Sequence, residues 1–527
     1  MTDVPDPAPL PDPAVASPTD RSGLQDGAVR GATWTVIHTL ISLPVAFAVN
    51  LVVARILGVA DYGRLAFLTS LMEVAGGIIT LGFSQALIQF GSKFHAAGRH
   101  DELRHLLSAA QGFRLLVAGP LLALVVLLVV DVPPAMLAIA VVFGIFVPAA
   151  LDGAAACVWI ENKSAAGAKL AIVTSLTTSA AVVLAAVLAR TPDAVWATRL
   201  VVTGTAVALS LLVISPAYRS AVLRPRLPRG LPEGFWRFAL PIAAAGVVGG
   251  LVMSRSEVFF MTWLATPAAV GAYALAYGLA SHLFAPAQAF VGPLIPAISG
   301  LRAIDGQAVA PAFRRTLRAS STVVGVLLAA AVAPLALLVT TLYGHEYDAS
   351  SPVLVALGIS AGLVIVFAPV TAFVSSRLSA GVLLRANLTA LAVDAAVAVS
   401  LIPLIGIWGA VVASISAIAV RYGLLLRNEI GQLGIGWGEL GGLVRPALLG
   451  VLLCLGTWFA VRPLGDGLGS AVIAGAAGVA GYALALRVAR TGLTESDAAS
   501  IARPFRGRLQ PVLRIVLPVL TGRRGSA

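Results

Sequence analysis

Apolar residues fill long stretches of this chain, and polar residues gather in the short breaks between them. About 20 apolar residues in a helix cross the ~30 Å hydrocarbon core of a bilayer. Runs of that length lie at Thr33–Ala54, Leu65–Phe90, Gln111–Val130, Ala135–Ile160, Ala168–Ala189 and Trp196–Ser215. They continue at Phe238–Leu264, Ala269–Ser299, Ala319–Leu342, Pro352–Ser375, Val382–Pro403 and Ile407–Leu426, and close with Leu443–Val461 and Leu468–Leu486. The pattern predicts an all-α polytopic membrane protein of about fourteen transmembrane helices, the last two less sharply bounded because glycine is frequent there.

The charges in the breaks orient those helices. Most of the 36 lysines and arginines fall in alternate breaks, those on the side of both termini. Cytoplasmic loops carry that excess, so both termini are expected inside the cell. The largest inside break, PAYRSAVLRPRLPRGLPEGFWR, has five arginines and four prolines and reads as a tethered connector. Met1–Gly27 is rich in Pro and Asp with no apolar core, so it is expected to be a disordered tail and not a cleaved signal. After Leu486 a basic tail follows, in which Ile501–Leu520 mixes arginines with Leu, Val and Ile. Two readings stand for that tail: an amphipathic helix on anionic lipid, or a solvated segment that only fixes topology.

Composition narrows the class further. The chain is 58% hydrophobic and only 11% charged, with mean hydropathy +0.94. The net charge of +12 does not indicate nucleic acid, because the basic residues follow the topology. Lysine occurs only at 93, 163 and 169; the arginine bias reflects composition, alongside abundant Ala, Gly and Val. Cys157 and Cys454 both lie inside apolar runs and read as small packing residues, without a disulfide or metal role.

The chain also repeats itself. VVARILGVADYGRLAF follows the first span, and MTWLATPAAVGAYALAY follows the seventh. With Gly63 aligned on Gly271, each shows a helix end, a turn of small residues, a glycine and a new apolar helix. Six spans per half keep both halves in one orientation, as in transporters whose site lies between two repeats. The expected organisation is a tail over 1–30, an N-lobe over 31–216, a basic linker over 217–237 and a C-lobe over 238–427. Two further helices occupy 428–490, and a basic tail 491–527. The fold class is thus two pseudo-symmetric six-helix lobes plus two extra C-terminal helices.

Five segments, in this order, resemble the polysaccharide transporter (oligosaccharide flippase) family of the multidrug/oligosaccharidyl-lipid/polysaccharide flippase superfamily. They are ARILGVADYGRLAF, ITLGFSQALIQFGS, SRSEVFFMTWLATPAAVGAYALAY, LYGHEYDASSPVLVALG and IPLIGIWGAVVASISAIAVRYGLL, and they cover roughly residues 30–430. The resemblance implies a flippase in the cytoplasmic (inner) membrane. It would move a polyprenyl-pyrophosphate-linked glycan from the inner to the outer leaflet by alternating access, without enzymatic activity or cofactor. It implies membrane lipids as surroundings and a polymerase and glycosyltransferases as pathway partners. Lipid II flippases share the helix count, but their characteristic arginines in the first two spans have no match here.

Charges inside the spans are the candidate site, since a buried charge in lipid normally faces a bundle interior or wet cavity. Arg255 lies nine residues before Leu264, about 14 Å from that helix end, and Glu73 lies at similar depth in the second span. Under the resemblance, Arg255 would grip the pyrophosphate or sugar, with Glu73 its partner in one state. A permanent packing pair is the alternative, though a costly one. Glu257 is about 200° around the helix from Arg255 and is expected at the cavity edge, as a further substrate-binding residue, or reaching outward. Arg55, at the outer end of the first span, is either a phosphate ligand or an interfacial arginine. Arg114 is expected to reach the interface, with Asp152 near enough to neutralise it. Asp394 and His282, near mid-span, are candidates for proton or sodium coupling, with a packing hydrogen bond as the alternative for His282.

No P-loop, hydrolase triad, paired-carboxylate site or zinc spacing occurs, so no ATP site on this chain supplies energy. A membrane glycan ligase or glycosyltransferase is the competing class. It would need a large acidic outer loop, and the longest one, Tyr343–Ser351, offers only Glu346 and Asp348. A non-transporting scaffold is disfavoured by the intramembrane charges.

Overall fold

The structure, a computed structural model, describes residues 18–80, 83–227, 256–288, 291–377 and 380–502, with scattered positions in 229–248 and 517–521. The described residues are overwhelmingly helical; their one β-bridge, isolated, joins Leu493 to Thr521. Lipid offers no partner for a bare amide or carbonyl, so apolar runs of this length satisfy their backbone as helices.

Among the described residues, twelve helices are long and apolar enough to cross a membrane. The first, Thr33–Gly77, contains the first expected span and the opening part of the second, which resumes in the helix Phe83–Ala96. It belongs to helix α1 (Pro18–Thr80), which is broken at Gly58 (φ 77°, ψ 171°). A side chain disfavours that conformation, so glycine ends one leg and starts the next. α1 begins within the stretch expected to be a disordered tail. The seventh expected span is described only in its final part, from Ser256. The remaining expected spans correspond to the other eleven helices.

The chain divides into two compact units. One comprises Met1–Val45, Ala75–Ala181 and Ala197–Ala243. Its core packs Leu87 on α2 (Phe83–Ala96), Leu103 and Leu107 on α3 (His100–Phe113), and Cys157 on α4 (Val147–Ile160), with Tyr218 and Phe235.

The other unit comprises Ala46–Val74, Val182–Trp196 and Ala244–Ala527. In it α5 (Ser256–Leu264) packs on α8 (Ala380–Ile405) and α9 (Ile407–Leu433), while α6 (Pro267–Gln288) packs on α7 (Ser350–Ser375). The two aligned glycines meet here. A Cβ on Gly63 would stand 2.5 Å from the carbonyl oxygen of Pro267, and one on Gly271 would run into that of Val59. The contact is reciprocal at equal offsets, as a two-fold relation between repeats requires. Around it, Tyr347 donates to the Ala54 carbonyl (2.9 Å), and Val59 N–H donates to Glu346 (3.3 Å).

Beyond the last span, a short helix over Glu495–Ala502 brings Asp497 against Arg315 (3.2 Å) and Arg318 (3.1 Å). The tail segment read as amphipathic, Ile501–Leu520, lies mostly outside the described residues.

Candidate functional site

α5 opens with Ser-Glu at its first turn, and both side chains are buried. Glu257 is 2% exposed, so it does not reach outward, one of the two placements that the sequence suggested. Its neighbour is Asp394 of α8, itself fully buried, and the two carboxylates act on each other electrostatically. Ser256 lies 3.5 Å from Glu257 Oε2 and is also a polar neighbour of Asp394; Ser414 of α9 approaches Glu257. Tyr273 of α6 is buried beside the same group. Apart from these approaches by serine hydroxyls, Glu257 Oε1 and both oxygens of Asp394 have no hydrogen bond of regular geometry among the described residues.

Chemically this is an unfinished site. Two carboxylates packed into a low-dielectric interior repel strongly if both are ionised. Bare oxygens there lack the solvation that a buried charge requires. A proton shared by the pair, or a small cation held by the carboxylates and serine hydroxyls, satisfies both conditions. Oxygen donors of this hardness suit a proton or a hard cation; no cluster of three or more His, Cys, Asp or Glu occurs among the described residues.

The first unit holds a buried charge of the opposite kind. Arg114 is fully buried and pairs with Asp152 at 2.7 Å. It also donates to Gln111 Oε1 (2.9 Å) and to Ser84 Oγ (2.9 Å), while Ser84 donates to Asp152 (2.8 Å). Arg114 therefore does not reach an interface, which corrects the snorkelling expectation; its neutralisation by Asp152 holds. A π-helical segment, Arg114–Ala118, begins at this arginine.

The other sequence candidates separate. Arg255 lies outside the described residues, so its pairing with Glu73 has no structural account. Glu73 and Arg55 are both exposed. His282 is half-buried and directs Nδ1 to the Gly278 carbonyl of its own helix, 2.5 Å away. Three buried charges escaped the sequence reading: Asp497, described above, Glu429, which pairs with Arg302 (3.1 Å) and Arg377, and Arg421. Arg421 of α9, inside the run Ile407–Leu426, is 7% exposed and donates to Asn387 of α8 at 2.7 Å. Its seven-residue spacing from Ser414 was the available signal.

Solved structures of two transporter classes share this arrangement of helices. The lipid II flippase MurJ in an inward closed conformation is 13% identical with a TM-score of 0.57, over 85% of this chain and 97% of that one. The Vibrio cholerae MATE transporter VcmN, solved as a point mutant, is 16% identical with a TM-score of 0.53, over 79% and 98%. The eukaryotic MATE transporter AtDTX14 is 14% identical with a TM-score of 0.50, over 81% and 100%. At these identities the likeness establishes the fold, a multi-pass membrane protein built like the transporters of the multidrug/oligosaccharidyl-lipid/polysaccharide flippase superfamily. A search of curated proteins finds no match. The profile of the polysaccharide biosynthesis protein family matches residues 28–302, more than half of the sequence, and the chain belongs to that family.

Proposed function

We propose that this protein flips a polyprenyl-pyrophosphate-linked oligosaccharide from the inner to the outer leaflet of the cytoplasmic membrane, with both termini cytoplasmic. It supplies cell-surface polysaccharide assembly, between the glycosyltransferases that build the lipid-linked unit and the polymerase that consumes it. Family membership and fold support a lipid-linked glycan as cargo. The observation that carries the mechanism is the unsatisfied Glu257–Asp394 pair.

Lifting a charged, sugar-bearing head through an apolar layer strips water from phosphate and hydroxyls at a cost of several kcal/mol. Arg255, with Glu73 and Arg55, would lower that cost by contacting the head group. Those contacts give no direction. A carboxylate pair that takes an ion in one state and releases it in another does. Asp394 and Glu257 are the coupling groups in this reading. His282 engages its own backbone and is secondary. Alternating access would part the glycine seam at Gly63 and Gly271.

A ligase or glycosyltransferase role has less support. Asp348 accepts from Thr340 Oγ1 (2.7 Å) and Glu346 accepts the Val59 amide, so both carboxylates of the longest outer loop serve structure.

The test uses the full chain in proteoliposomes, following translocation of a labelled polyprenyl-pyrophosphate oligosaccharide under imposed proton or sodium gradients. Asp394→Asn is expected to abolish the gradient dependence while substrate binding survives. If Asp394→Asn behaves as wild type under every gradient, coupling at this site is wrong, and product removal drives export instead. Equal or faster movement of lipid II would reassign the cargo to peptidoglycan precursors.

A further inference from the structure

The outer loop Tyr343–Ser351 touches both sides of the glycine seam. α1 breaks at Gly58, and a helix break leaves carbonyls of the first leg and amides of the second without helical partners. Ala54 lies four residues before the break and Val59 one residue after it. Tyr347 Oη donates to the Ala54 carbonyl (2.9 Å), and Glu346 accepts the Val59 amide (3.3 Å). A Cβ on Gly58 would stand 3.0 Å from that same carboxylate oxygen, so the acid sits directly on the break. The Tyr347 ring also meets Tyr62 of the second leg edge-on, at 6.2 Å. On the other side of the seam, Ser350 Oγ donates to the Ala272 carbonyl (3.0 Å), next to Gly271.

The loop is stiff in itself. Gly344 turns the chain at φ 102°, a conformation that suits glycine. His345–Tyr347 then form one tight helical turn, closed by the Tyr347 amide on the Gly344 carbonyl (3.1 Å). Asp348 ties the turn to the preceding helix through Thr340 Oγ1 (2.7 Å), and Tyr343 packs edge-on against Tyr347 (5.9 Å). The two attachments across the seam differ in kind. Ser350 and Ala272 are both buried, on α7 and α6, which pack on each other. Glu346 is exposed, so water can replace its bond to the Val59 amide as the two part.

We infer that this loop is a strap over the seam: it stays with α6 and α7 through Ser350 and lets go of the corner after the first span at Glu346 and Tyr347. The strap rests on the orientation and alternating access proposed above, and it names the residues that hold the outer side shut. Because the loop moves as one piece, both bonds to the corner act on the same opening. The net effect of one hydrogen bond changes such an equilibrium about fivefold.

A cysteine at Val59 in the full chain reports the opening through an impermeant thiol reagent in intact cells; Cys157 and Cys454 are buried and stay silent. Tyr347→Phe removes only a hydroxyl, and Glu346→Ala removes the acceptor; each is expected to raise the reactivity about fivefold. Glu346→Gln keeps an acceptor oxygen and should rise less than Glu346→Ala. Unchanged reactivity in Tyr347→Phe and Glu346→Ala overturns the strap, as does an equal rise in Glu346→Gln and Glu346→Ala, which would deny the hydrogen bond its part. In proteoliposomes, Val59→Cys with Glu346→Cys joined by a short reducible thiol crosslinker should lose nearly all translocation and regain it on reduction. Full translocation with the crosslink in place overturns the release at this end. No translocation even without the crosslinker would overturn the flippase reading and leave the strap to the Val59 reactivity, which needs no cargo.

Discussion

Two of the buried charge clusters, one in each unit, make opposite use of the same environment. At Arg114 the charge is neutralised on the spot: a carboxylate at 2.7 Å, a glutamine and a serine that binds both partners hold its two terminal nitrogens, and only Nε lacks a partner among the described residues. At Glu257 and Asp394 two groups of like sign are buried together, and three of their four oxygens lack a hydrogen bond of regular geometry among the described residues. Desolvation penalises both clusters, but only the first offsets it internally. A closed network stiffens its unit. An open one requires a proton or cation from outside, and a group that must acquire something can also give it up.

The comparison breaks most readily at Asp152. Asp152→Ala strands a fully buried guanidinium and should destabilise the protein by about 3–5 kcal/mol, read by chemical unfolding in mixed micelles. The joint replacement Arg114→Met with Asp152→Leu should recover most of that loss, because no charge is then left unpaired. If Asp152→Ala is as stable as wild type, Arg114 has another source of compensation and the contrast fails.

A smaller effect tests the seam that must part if the carboxylate pair serves alternating access. Gly271→Ala places a methyl group against the Val59 backbone, at a cost of about 1–3 kcal/mol to the closed contact. A cysteine at Val59 should then react several-fold faster with an impermeant thiol reagent in intact cells. Unchanged reactivity would mean that the contact does not close an access route.

The smallest expected effect has the opposite sign. Asp394→Asn removes one of two repelling carboxylates, so unfolding stability should stay level or rise by about 1 kcal/mol near neutral pH, in contrast to Asp152→Ala. A loss comparable to that of Asp152→Ala would make the pair a structural element and remove the distinction between the clusters.

Several features of this molecule were readable because lipid leaves few choices. The helical runs, the short turn of small residues after the first span, the match of Gly63 with Gly271 and the mid-span placement of Asp394 all follow from local composition and spacing. The partners were not readable. Glu257 seemed free to face outward when only its own helix was considered; α8 and α9 enclose it. Arg114 was close enough to a helix end to snorkel, and α4 instead supplies Asp152. Arg421 drew no notice within its apolar run; its burial and its bond to Asn387 of α8 make it part of the bundle.

The amino-acid sequence by itself determined the number and kind of segments, since an apolar run in a bilayer must close its own hydrogen bonds. It also determined the class of chemistry open to the chain, since charges this deep are too costly to carry idly. Tertiary structure alone decided which charges meet. Whether a buried carboxylate faces an arginine or another carboxylate depends on the rotation and register of helices far apart in the chain. Those are set by side-chain packing over whole faces, which no local spacing encodes.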